Sequence, residues 1–495
     1  MNLTQTLKTE IASLVSGNDL YNSYQGRWEY LLESYIGGDE YRKAGHLTRY
    51  QLESDAEYEA RLRETPLENH CASVISVYNS FLFRTQPTRE YGSITNLPEL
   101  EDFLQDADFD GRSLNAFMKD AETWASVFGH AWIILAQPDV GAMNKAEQLT
   151  MGVRPYASVL TPLVVLDWRW TRNRSGRYTL EYMKYLEDVN GDIRTVKEWY
   201  KDTIVTTVVD LEANEVTEIY EEPNQLGVIP AVCMYNKRST VRGIGVSDIT
   251  DIADVQKYIY NATSECAQSI RLDSHPSLVK TEETNAGIGA GSLIHMPENL
   301  DPGLKPYLLE FNGASVQSIH QSIAHAIESI DKMANTGAIR STEARRMSGV
   351  AQEQEFQLLN ARLSEKADAI ELAEEQMWKI WCRYLGYSWD GSIDYPGSFN
   401  IRDTGSEIEQ LKIAKETATN PEVLREIDNQ IMTWLGLEPQ DMMTHDETTD
   451  ANRAQHIQEM IMEGLTDQQI LDLHPEIVQQ DIESAKQQLL NLNNE

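Results

Sequence analysis

The chain has 495 residues, with 42 Lys+Arg against 78 Asp+Glu, which gives a net charge of −36 at pH 7. One hydrophobic core rarely supports this length, so we expect roughly two to four structural units. Because so acidic a surface repels phosphate, the charge excludes a conventional groove-reading DNA-binding protein. Hydrophobic residues make up 41% of the chain, which excludes a largely disordered protein.

The four cysteines, Cys71, Cys233, Cys266 and Cys382, lie far apart and form no C-x-x-C pair. This spacing indicates reduced thiols in a cytosol-like compartment, with no disulfide and no zinc ribbon. No stretch approaches the roughly 18 apolar residues of a membrane span, and the N-terminal segment lacks the apolar run of a signal peptide. We therefore expect a soluble protein that is neither secreted nor embedded in a membrane.

Residues 1 to about 135 predict mainly helices followed by a strand. Apolar residues recur at steps of three to five from Asp55 to Phe83, which indicates one amphipathic helical stretch. A second helical pattern runs from Ser113 to Phe128. The apolar sequence AWIILA follows it and predicts a buried strand.

From Tyr156 to about Pro230 the sequence changes to short β-rich runs, beginning with ASVLTPLVVLDW. The Asn190-Gly191 pair between two such runs is a strong β-hairpin signal, and Asn173 to Gly176 predicts another turn. The region therefore predicts an antiparallel sheet.

Two long helical patterns then bracket a small insert. The first begins near Ser247, the predicted N-cap, and ends before His275-Pro276. The second runs from Ser315 to Met333 with apolar residues at helical spacing. Between them, residues 277–313 contain SLVK, GSLIHM and YLLEF as short candidate strands.

Residues 334–349 lack a clear apolar face and predict a loop or a weak helix. A third long helix is predicted from about Val350 to Tyr387, because apolar residues recur along it every seven positions. We expect it to pack lengthwise against neighbours and to carry the contacts of self-association. YSWDGSIDYPGSFNI predicts a short strand pair, and the last ninety or so residues predict acidic helices with a capping box at 466–469. The candidate oligomer-packing residues are Phe356, Leu363, Ile370 and Met377.

The usual catalytic signatures are missing from the sequence. There is no G-x-x-x-x-G-K-[ST] loop to hold ATP, no G-x-S-x-G elbow and no H-E-x-x-H motif. The glycine-rich segment 286–292 lacks the context of a phosphate-binding loop, and His320 and His325 are five residues apart, a poor match to a helical metal pair. We therefore predict no catalytic residue, no cofactor and no metal, and hence no enzyme.

Two groups of arginines stand out against the acidic background. We interpret the first, Arg169, Arg172, Arg174 and Arg177, as a solvated surface around the predicted turn. The second, Arg340, Arg345 and Arg346, lies between two long helices. If several copies form a ring, a loop at that place could project into a shared central space.

Several segments, in their order along the chain, resemble the portal proteins of tailed phages. They are YEARLRETPLENHCASVISVYNSFLFRTQP (58–87), FMKDAETWASVFGHAWIILAQP, RPYASVLTPLVVLDWRW, LGVIPAVCMYN, GIGVSDITDIADVQKYIYNATSE and SGVAQEQEFQLLNARLSEKADAIELAEEQMW. The likeness covers most of the chain to about residue 400. The last ninety residues match only as a helical tail.

The resemblance implies an α+β, mainly α subunit of the portal type. It assigns residues 1–246 to a wing with helical and antiparallel β parts, 247–272 and 315–333 to a two-helix stem, 273–314 to a small β-rich clip, 334–349 to a tunnel loop, 350–400 to a long inner helix and wing return, and 401–495 to a helical crown.

The implied function is a ring of about twelve subunits at one vertex of the capsid, through which the genome is packaged and ejected. The implied partners are further copies of the chain, double-stranded DNA without sequence specificity, the terminase, a head-tail adaptor, and the major capsid and scaffold proteins, with no membrane. The protein would reside in the virion, and in the host cytoplasm during assembly.

An acidic channel suits this function, because each phosphate bound by Lys or Arg releases counterions and adds affinity that would stall sliding DNA. We expect Arg340, Arg345 and Arg346 to touch the DNA backbone transiently from the tunnel loop. Two alternatives remain open. One is an acidic scaffold or minor capsid protein, and the other is an enzyme with a carboxylate-bound metal, motivated only by the 78 acidic residues.

Overall fold

The computed structural model describes residues 11, 13–138, 152–274, 277–282, 295–296, 298–299, 301–309, 314–340, 349–399, 415 and 457. The chain divides into two units, Met1–Asn400 and Ile401–Glu495. The architecture given below is that of the first unit. Apart from Lys415 and Ile457, the predictions for residues 401–495, including the capping box, lie outside the described residues.

The first unit combines helices with antiparallel sheets, which confirms the prediction of a mixed α and β fold. Helices concentrate before residue 130 and after residue 249, with most of the strands between them. In chain order the helices of the described residues are α1 (Asp19–Ile36), α2 (Gly38–Lys43), α3 (Asp55–Glu64), α4 (His70–Leu82), α5 (Pro98–Gln105), α6 (Leu114–Phe128), α7 (Thr250–Ser274), α8 (Ala314–Ala334), α9 (Gly337–Arg340) and α10 (Gly349–Tyr384).

Helix α3 and helix α4 replace the single helical stretch that the periodicity from Asp55 to Phe83 predicted. Thr65 is extended (φ −70°, ψ 118°), as a residue before proline prefers, and it ends α3. Asn69 then starts α4 by accepting a hydrogen bond from the amide of Ala72 at 2.9 Å. The expectation of one continuous helix was therefore wrong at Pro66.

The strands of the described residues form four sheets, all antiparallel where they pair. A five-stranded sheet has the order β4-β5-β6-β7-β8, and a three-stranded sheet has the order β3-β2-β9. The strands are β1 (Thr88–Glu90), β2 (His130–Ala136), β3 (Tyr156–Leu160), β4 (Val165–Arg172), β5 (Tyr178–Asn190), β6 (Ile193–Tyr200), β7 (Thr203–Asp210), β8 (Glu215–Pro223), β9 (Ala231–Tyr235), β10 (Ser277–Val279), β11 (Tyr307–Leu309) and β12 (Ser392–Asp394).

Both predicted hairpin turns are confirmed. Asn190 pairs with Ile193 across the β5–β6 turn, where Gly191 has a φ of +58°. At the β4–β5 turn the amide of Asn173 donates to the carbonyl of Arg177 at 2.8 Å. The buried strand predicted from AWIILA is β2, and its residues through Leu135 are all buried.

Two strand predictions need correction. The run ASVLTPLVVLDW forms two strands in different sheets, β3 and β4, with Pro162 between them. The segment after α10 forms no local strand pair within its described residues. Its strand β12 pairs with β1, where Arg89 lies opposite Ile393.

The long helices follow the predicted order with small shifts at their ends. Helix α7 begins at Thr250, three residues after the predicted N-cap. Ser247 instead accepts a hydrogen bond from the amide of Ile249 at 3.1 Å and donates one to the carbonyl of Ser126 at 3.1 Å. Of the candidate strands in the insert, SLVK and YLLEF supply β10 and β11, which pair with each other. GSLIHM lies outside the described residues apart from His295 and Met296.

The core of the first unit is built around large aromatic side chains. Trp28, Trp132, Trp378 and Trp381 are each at most 1% exposed. They come from α1, β2 and α10, so that the first helix, the central strand and the last helix share one core. No helix of the described residues is both long and apolar enough to cross a membrane.

Candidate channel loop and its anchorage

The helices α7 and α8 pack along each other, and the β10–β11 pair lies between them in the chain. Near the middle of α7, the thiol of Cys266 lies 3.5 Å from Nε2 of His320 on α8. Between Ser315 and His325 no side chain of α8 is buried, whereas Ile330 and Ala334 at its C-terminal end are fully buried. One end of this helix pair is therefore fixed in the core of the unit.

The C-terminal end of α8 is capped by side chains from two other helices. The hydroxyl of Tyr78, on α4, donates to the carbonyl of Ala334 at 2.6 Å. The guanidinium of Arg362, on α10, donates to the carbonyl of Met333 at 2.9 Å. The last carbonyls of a helix have no partner within it, so these two bonds stabilise the end of α8.

Arg340 is the last residue of α9, the short helix that follows α8. Its Nη1 lies 3.0 Å from Oδ1 of Asp331, and its Nη2 lies 2.8 Å from Nδ1 of His70. Burial first, and then the charge of Arg340, lower the pKa of His70, which keeps the imidazole neutral with Nδ1 as the acceptor. The other ring nitrogen lies 3.3 Å from Glu68. Arg340 thus ties the end of α9 to α4 and α8.

A buried charged cluster lies next to this anchor. The ammonium of Lys366, on α10, lies 2.5 Å from Glu122 and 2.8 Å from Asp248, and it donates to the hydroxyl of Ser126 at 2.8 Å. It also donates to the side-chain oxygen of Asn236, directly after β9. The side chains of Lys366, Glu122 and Asp248 are at most 5% exposed. The cluster therefore joins α6, β9, the start of α7 and α10 at one buried point.

The electrostatics of the cluster keep Asp248 charged. Burial alone would raise the pKa of Asp248, but the charges of Lys366 and Arg362 lower it to about 2. Burial also opposes the charge on Lys366, yet Asp248 and Glu122 together raise the pKa of this lysine. Burial raises the pKa of Glu122 despite the neighbouring Lys366. A buried charge left without its partner is costly, so these groups hold one another in place.

The structure brings only part of the predicted DNA-channel group into view. Arg340 is 11% exposed at its side chain and is ion-paired with Asp331. Arg345 and Arg346 lie outside the described residues. The short helix α9 lies within residues 334–349, the segment that was predicted as a loop or weak helix, and α10 begins at the last residue of that segment, Gly349.

The predicted oligomer-packing residues lie mostly in the core of their own chain. Leu363, Ile370 and Met377 are each 0% exposed, and Phe356 is half-buried. The fold of one chain therefore accounts for the heptad spacing, without a second copy. On the same helix, Leu358 and Leu372 are 59% and 46% exposed, respectively. A seven-residue repeat does not distinguish packing within a chain from packing between chains, so the sequence could not show that the heptad positions face the core of their own chain.

Sequence reasoning also missed the partners of the charged cluster, although one signal was available. Lys366 lies three residues after Leu363 and four before Ile370, at the core position that Leu359 and Ala373 fill in the neighbouring heptads. A lysine at such a position must find a buried acid or leave the core. Which acid it finds depends on α6 and on the turn before α7, far away in sequence.

Within the described part of the chain, no group of three or more His, Cys, Asp or Glu side chains is arranged to hold a metal ion. His320 and His325 are both exposed on α8. All four cysteines are free thiols and buried. The glycine-rich segment 286–292 lies outside the described residues.

A family model described as phage portal protein, SPP1 Gp6-like, matches residues 20–489. The chain belongs to this portal protein family. The match covers the helix pair, the charged cluster and the loop anchor, and it extends through most of the second unit. Portal proteins are structural proteins of the phage particle, and this is the function of the chain.

Solved structures of gene transfer agent (GTA) particles contain chains similar to this portal protein. One, from the neck of an empty GTA particle computed with C6 symmetry, is 12% identical with a TM-score of 0.44, over 82% of this chain and 100% of that chain. Another, from the neck of a native GTA particle computed with C12 symmetry, is 12% identical with a TM-score of 0.38, over 82% and 99%. No curated protein sequence matches the chain.

Proposed function

We propose that about twelve copies of this portal protein form a ring at one vertex of the capsid, with a central channel through which double-stranded DNA is packaged and ejected. Family membership over residues 20–489 is the observation that carries the proposal. It is supported by the helix pair α7–α8, which is anchored in the core at one end and leads to the small β10–β11 pair at the other.

The regions of the subunit follow from this proposal. Helices α7 and α8 form the stem, and their bounds lie within three residues of the proposed limits 247–272 and 315–333. Residues 1–246 form the wing, 273–314 the clip, 350–400 the long helix and wing return, and 401–495 the crown. The β10–β11 pair supports a small β-rich clip.

The stem surface supports contact between neighbouring copies. Val316, Ile319 and Ile323 recur on one face of α8 and remain only half-buried in the single chain. On α7, Tyr258 and Ile270 are 51% and 45% exposed, respectively. Covering these apolar side chains with the next stem would contribute about 25 cal/mol for each Å² removed from water.

Residues 334–349 form the tunnel loop in this proposal. Arg340 is the fixed root, held by Asp331 and His70, and Arg345 and Arg346 are the residues that touch DNA. The remaining wall is acidic, in keeping with the net charge of −36. Repulsion between the acidic wall and DNA is screened over about 8 Å at physiological salt, so the wall would repel DNA only at close approach.

The clip is the docking site for the terminase during packaging and for head-tail adaptors afterwards. Capsid and scaffold proteins surround the ring in the particle, and the subunits assemble in the host cytoplasm. The motor activity belongs to the terminase, because the chain has no ATP-binding loop in its sequence. No observation on the described residues favours a scaffold protein or a carboxylate-metal enzyme instead.

The packaging function is tested with particles assembled in the presence and absence of the chain, by measuring DNA protected from nuclease. We expect no protected DNA without it, and full packaging without it would contradict the proposal.

The role of the loop is tested with the variant Arg345→Ala/Arg346→Ala, with Arg27→Ala/Arg63→Ala on exposed helical surfaces as the matched control. Packaging and retention should fall only in the loop variant. Unchanged values would refute its contact with DNA.

A further inference from the structure

One end of the five-stranded sheet carries a basic patch, which we define as Arg172, Arg174, Arg177, Arg238 and Arg242. The first three surround the β4–β5 turn and are exposed. The last two lie in the segment after β9. The two parts meet at Tyr178, because the guanidiniums of Arg242 and Arg172 lie 3.8 Å and 5.7 Å from the centre of its ring.

The basic patch has no acidic counterpart in its own chain. Among the described residues, no carboxylate lies within ion-pair distance of its five arginines, whereas the neighbouring Arg169 pairs with Asp167 at 3.2 Å. Arg238 and Arg242 also line a cavity of about 470 Å³ with Trp168, Trp170 and Tyr235. Crowding like charges is unfavourable, and in a chain with 78 acidic residues the local lack of an acid indicates an external anionic surface.

An acidic groove spans strands β5 to β8 of the same sheet. It has a volume of about 550 Å³ and is lined by Glu181, Tyr200, Lys201, Asp202, Thr203, Val205 and Glu221. Its three carboxylates outnumber its single lysine. None of the three has an ion-pair partner among the residues that the structure describes. Edge strand β8 continues the negative charge with Glu218 and Glu222, both exposed.

The patch and the groove lie at the same end of the sheet. The β4–β5 turn directly precedes Tyr178, and within β5 Tyr182 pairs with Tyr200, which begins the β6–β7 turn. Thr203 after that turn pairs with Pro223 on β8. Strands β4 and β8 are the two edges of the sheet, separated by four strand spacings of about 4.8 Å, or about 19 Å. Two copies placed side by side would therefore bring the patch of one and the β8 side of the groove of the other to the same end of the sheet.

We propose that the basic patch of one copy docks against the acidic groove of the next copy. Two patches repel each other, and so do two grooves, so the contact forms only head to tail. A head-to-tail contact generates a ring when its rotation closes. The inference rests on the proposed ring and identifies one surface that builds it.

A second copy is favoured over DNA as the occupant because the chain itself carries the complementary groove. Edge strand β8 also exposes Ile219 and Tyr220, at 65% and 52%. Ile219 shares its face of β8 with Glu221 of the groove, so a docked copy would cover Ile219, whereas DNA bound at the patch would leave it in water. The glutamates of β8 at the same time oppose pairing of two identical edges.

Charge reversal tests the contact in the full-length protein. We expect Arg174→Glu/Arg177→Glu and Glu181→Lys/Glu221→Lys each to raise the concentration needed for assembly by about tenfold or more, measured by sedimentation velocity. Combining both reversals in one chain should restore assembly, because the charges are again opposite. Arg27→Glu/Arg63→Glu is the control and should assemble normally. Normal assembly of both reversal variants, or loss of DNA retention with intact rings in the first, would overturn the proposal.

Cross-linking provides a readout that does not depend on ring stability. All four native cysteines are buried, so Arg174→Cys and Asp202→Cys introduce the accessible thiols. On oxidation, the double variant should give a ladder of trimers and larger species, whereas each single variant should stop at dimers. Rings without a ladder would overturn this contact and leave the proposed function standing. A ladder without rings would support this contact and contradict the proposed ring.

Discussion

The guanidinium of Arg362 donates to Oδ1 of Asp248 at 2.9 Å, and through this bond it ties α10 to the start of α7. Its other terminal nitrogen donates to the carbonyl of Met333 at 2.9 Å. Asp248 lies two residues before α7, and Met333 belongs to the last turn of α8. One side chain on the long helix α10 therefore holds the start of α7 and the end of α8, which couples the positions of these two helix ends.

Replacing Arg362 by lysine should loosen this junction. Lysine retains the charge, but it lacks the planar fork that reaches two acceptors in different directions. We expect amide hydrogen exchange in the first turn of α7 to rise several-fold, in line with a loss of about 1 kcal/mol for one hydrogen bond. Arg383→Lys, an exposed change on the same helix, should leave this exchange unaltered. Equal exchange in the two variants would refute the coupling.

Lys366→Met should be severely destabilising. The substitution removes the ammonium beside Glu122 and Asp248, which leaves Glu122 in the core without this cation and Asp248 with Arg362 alone, at a cost of about 3–5 kcal/mol. Urea unfolding followed by circular dichroism measures the change. The matched control is Lys379→Met, which breaks an exposed pair with Glu375 and should cost less than about 0.5 kcal/mol. Similar losses in both variants would contradict the assigned role of the cluster.

His130 should make the folded protein less stable in mild acid. Burial lowers the pKa of His130 to about 3, against about 6.5 in an unfolded chain. Between these values only the unfolded state binds the proton. The contribution of neutral His130 to the free energy of unfolding is therefore fully present above about pH 6.5. It is lost as the pH falls towards 3, by up to about 1.4 kcal/mol per pH unit.

The variant His130→Asn isolates this effect, since the asparagine oxygen can still accept from the amide of Gly245, as Nδ1 does at 3.3 Å. Urea unfolding at pH 7.5, 6 and 5 should give a smaller pH dependence for the variant than for the wild type. The lowered pKa of His70 leaves a residual dependence of the same sign. Identical slopes would exclude His130 as a source of the acid sensitivity.

The effect of a charged substitution along α10 should depend on whether the substituted position is buried or exposed. Leu363→Asp and Ile370→Asp place a carboxylate at positions that are 0% exposed, so these variants should fail to fold. Leu372→Asp, at a position that is 46% exposed, should keep the wild-type circular dichroism and unfolding midpoint. A folded Leu363→Asp/Ile370→Asp double variant that cannot assemble would instead assign the heptad positions to contacts between copies.

Arg340→Ala should lower stability, because Asp331 and His70 both lose their partner. We expect a loss of about 1–3 kcal/mol in urea unfolding, the usual cost of leaving a largely buried polar group unsatisfied. Arg345→Ala/Arg346→Ala should leave stability unchanged and affect only DNA packaging. An unchanged stability of Arg340→Ala would remove its assignment as the anchor of the loop.

The sequence could predict the local architecture because its signals are local. Apolar periodicity gave α6, α7, α8 and α10 their approximate bounds, and Asn190-Gly191 placed the β5–β6 hairpin. The break at Pro66 carried a signal as well, but the apolar spacing continues across it. Pairing of β12 with β1 could not be inferred, since the partners are about three hundred residues apart and each strand has only three residues.

The site was less predictable, because its contacts join distant segments. The sequence identified Arg340 as a basic residue near a loop, but not its bonds to Asp331 and His70. Asp248 lies close to the predicted N-cap Ser247, and only the structure shows that it pairs with Lys366 and Arg362. Similarly, Arg172 and Arg177 were interpreted as solvated surface, and only the fold places Arg242 beside them.

The proposed ring is tested most directly by negative-stain electron microscopy of the purified protein, with symmetry counted in end-on views. We expect rings of about twelve subunits around an open central hole. A compact closed oligomer without a channel would contradict it.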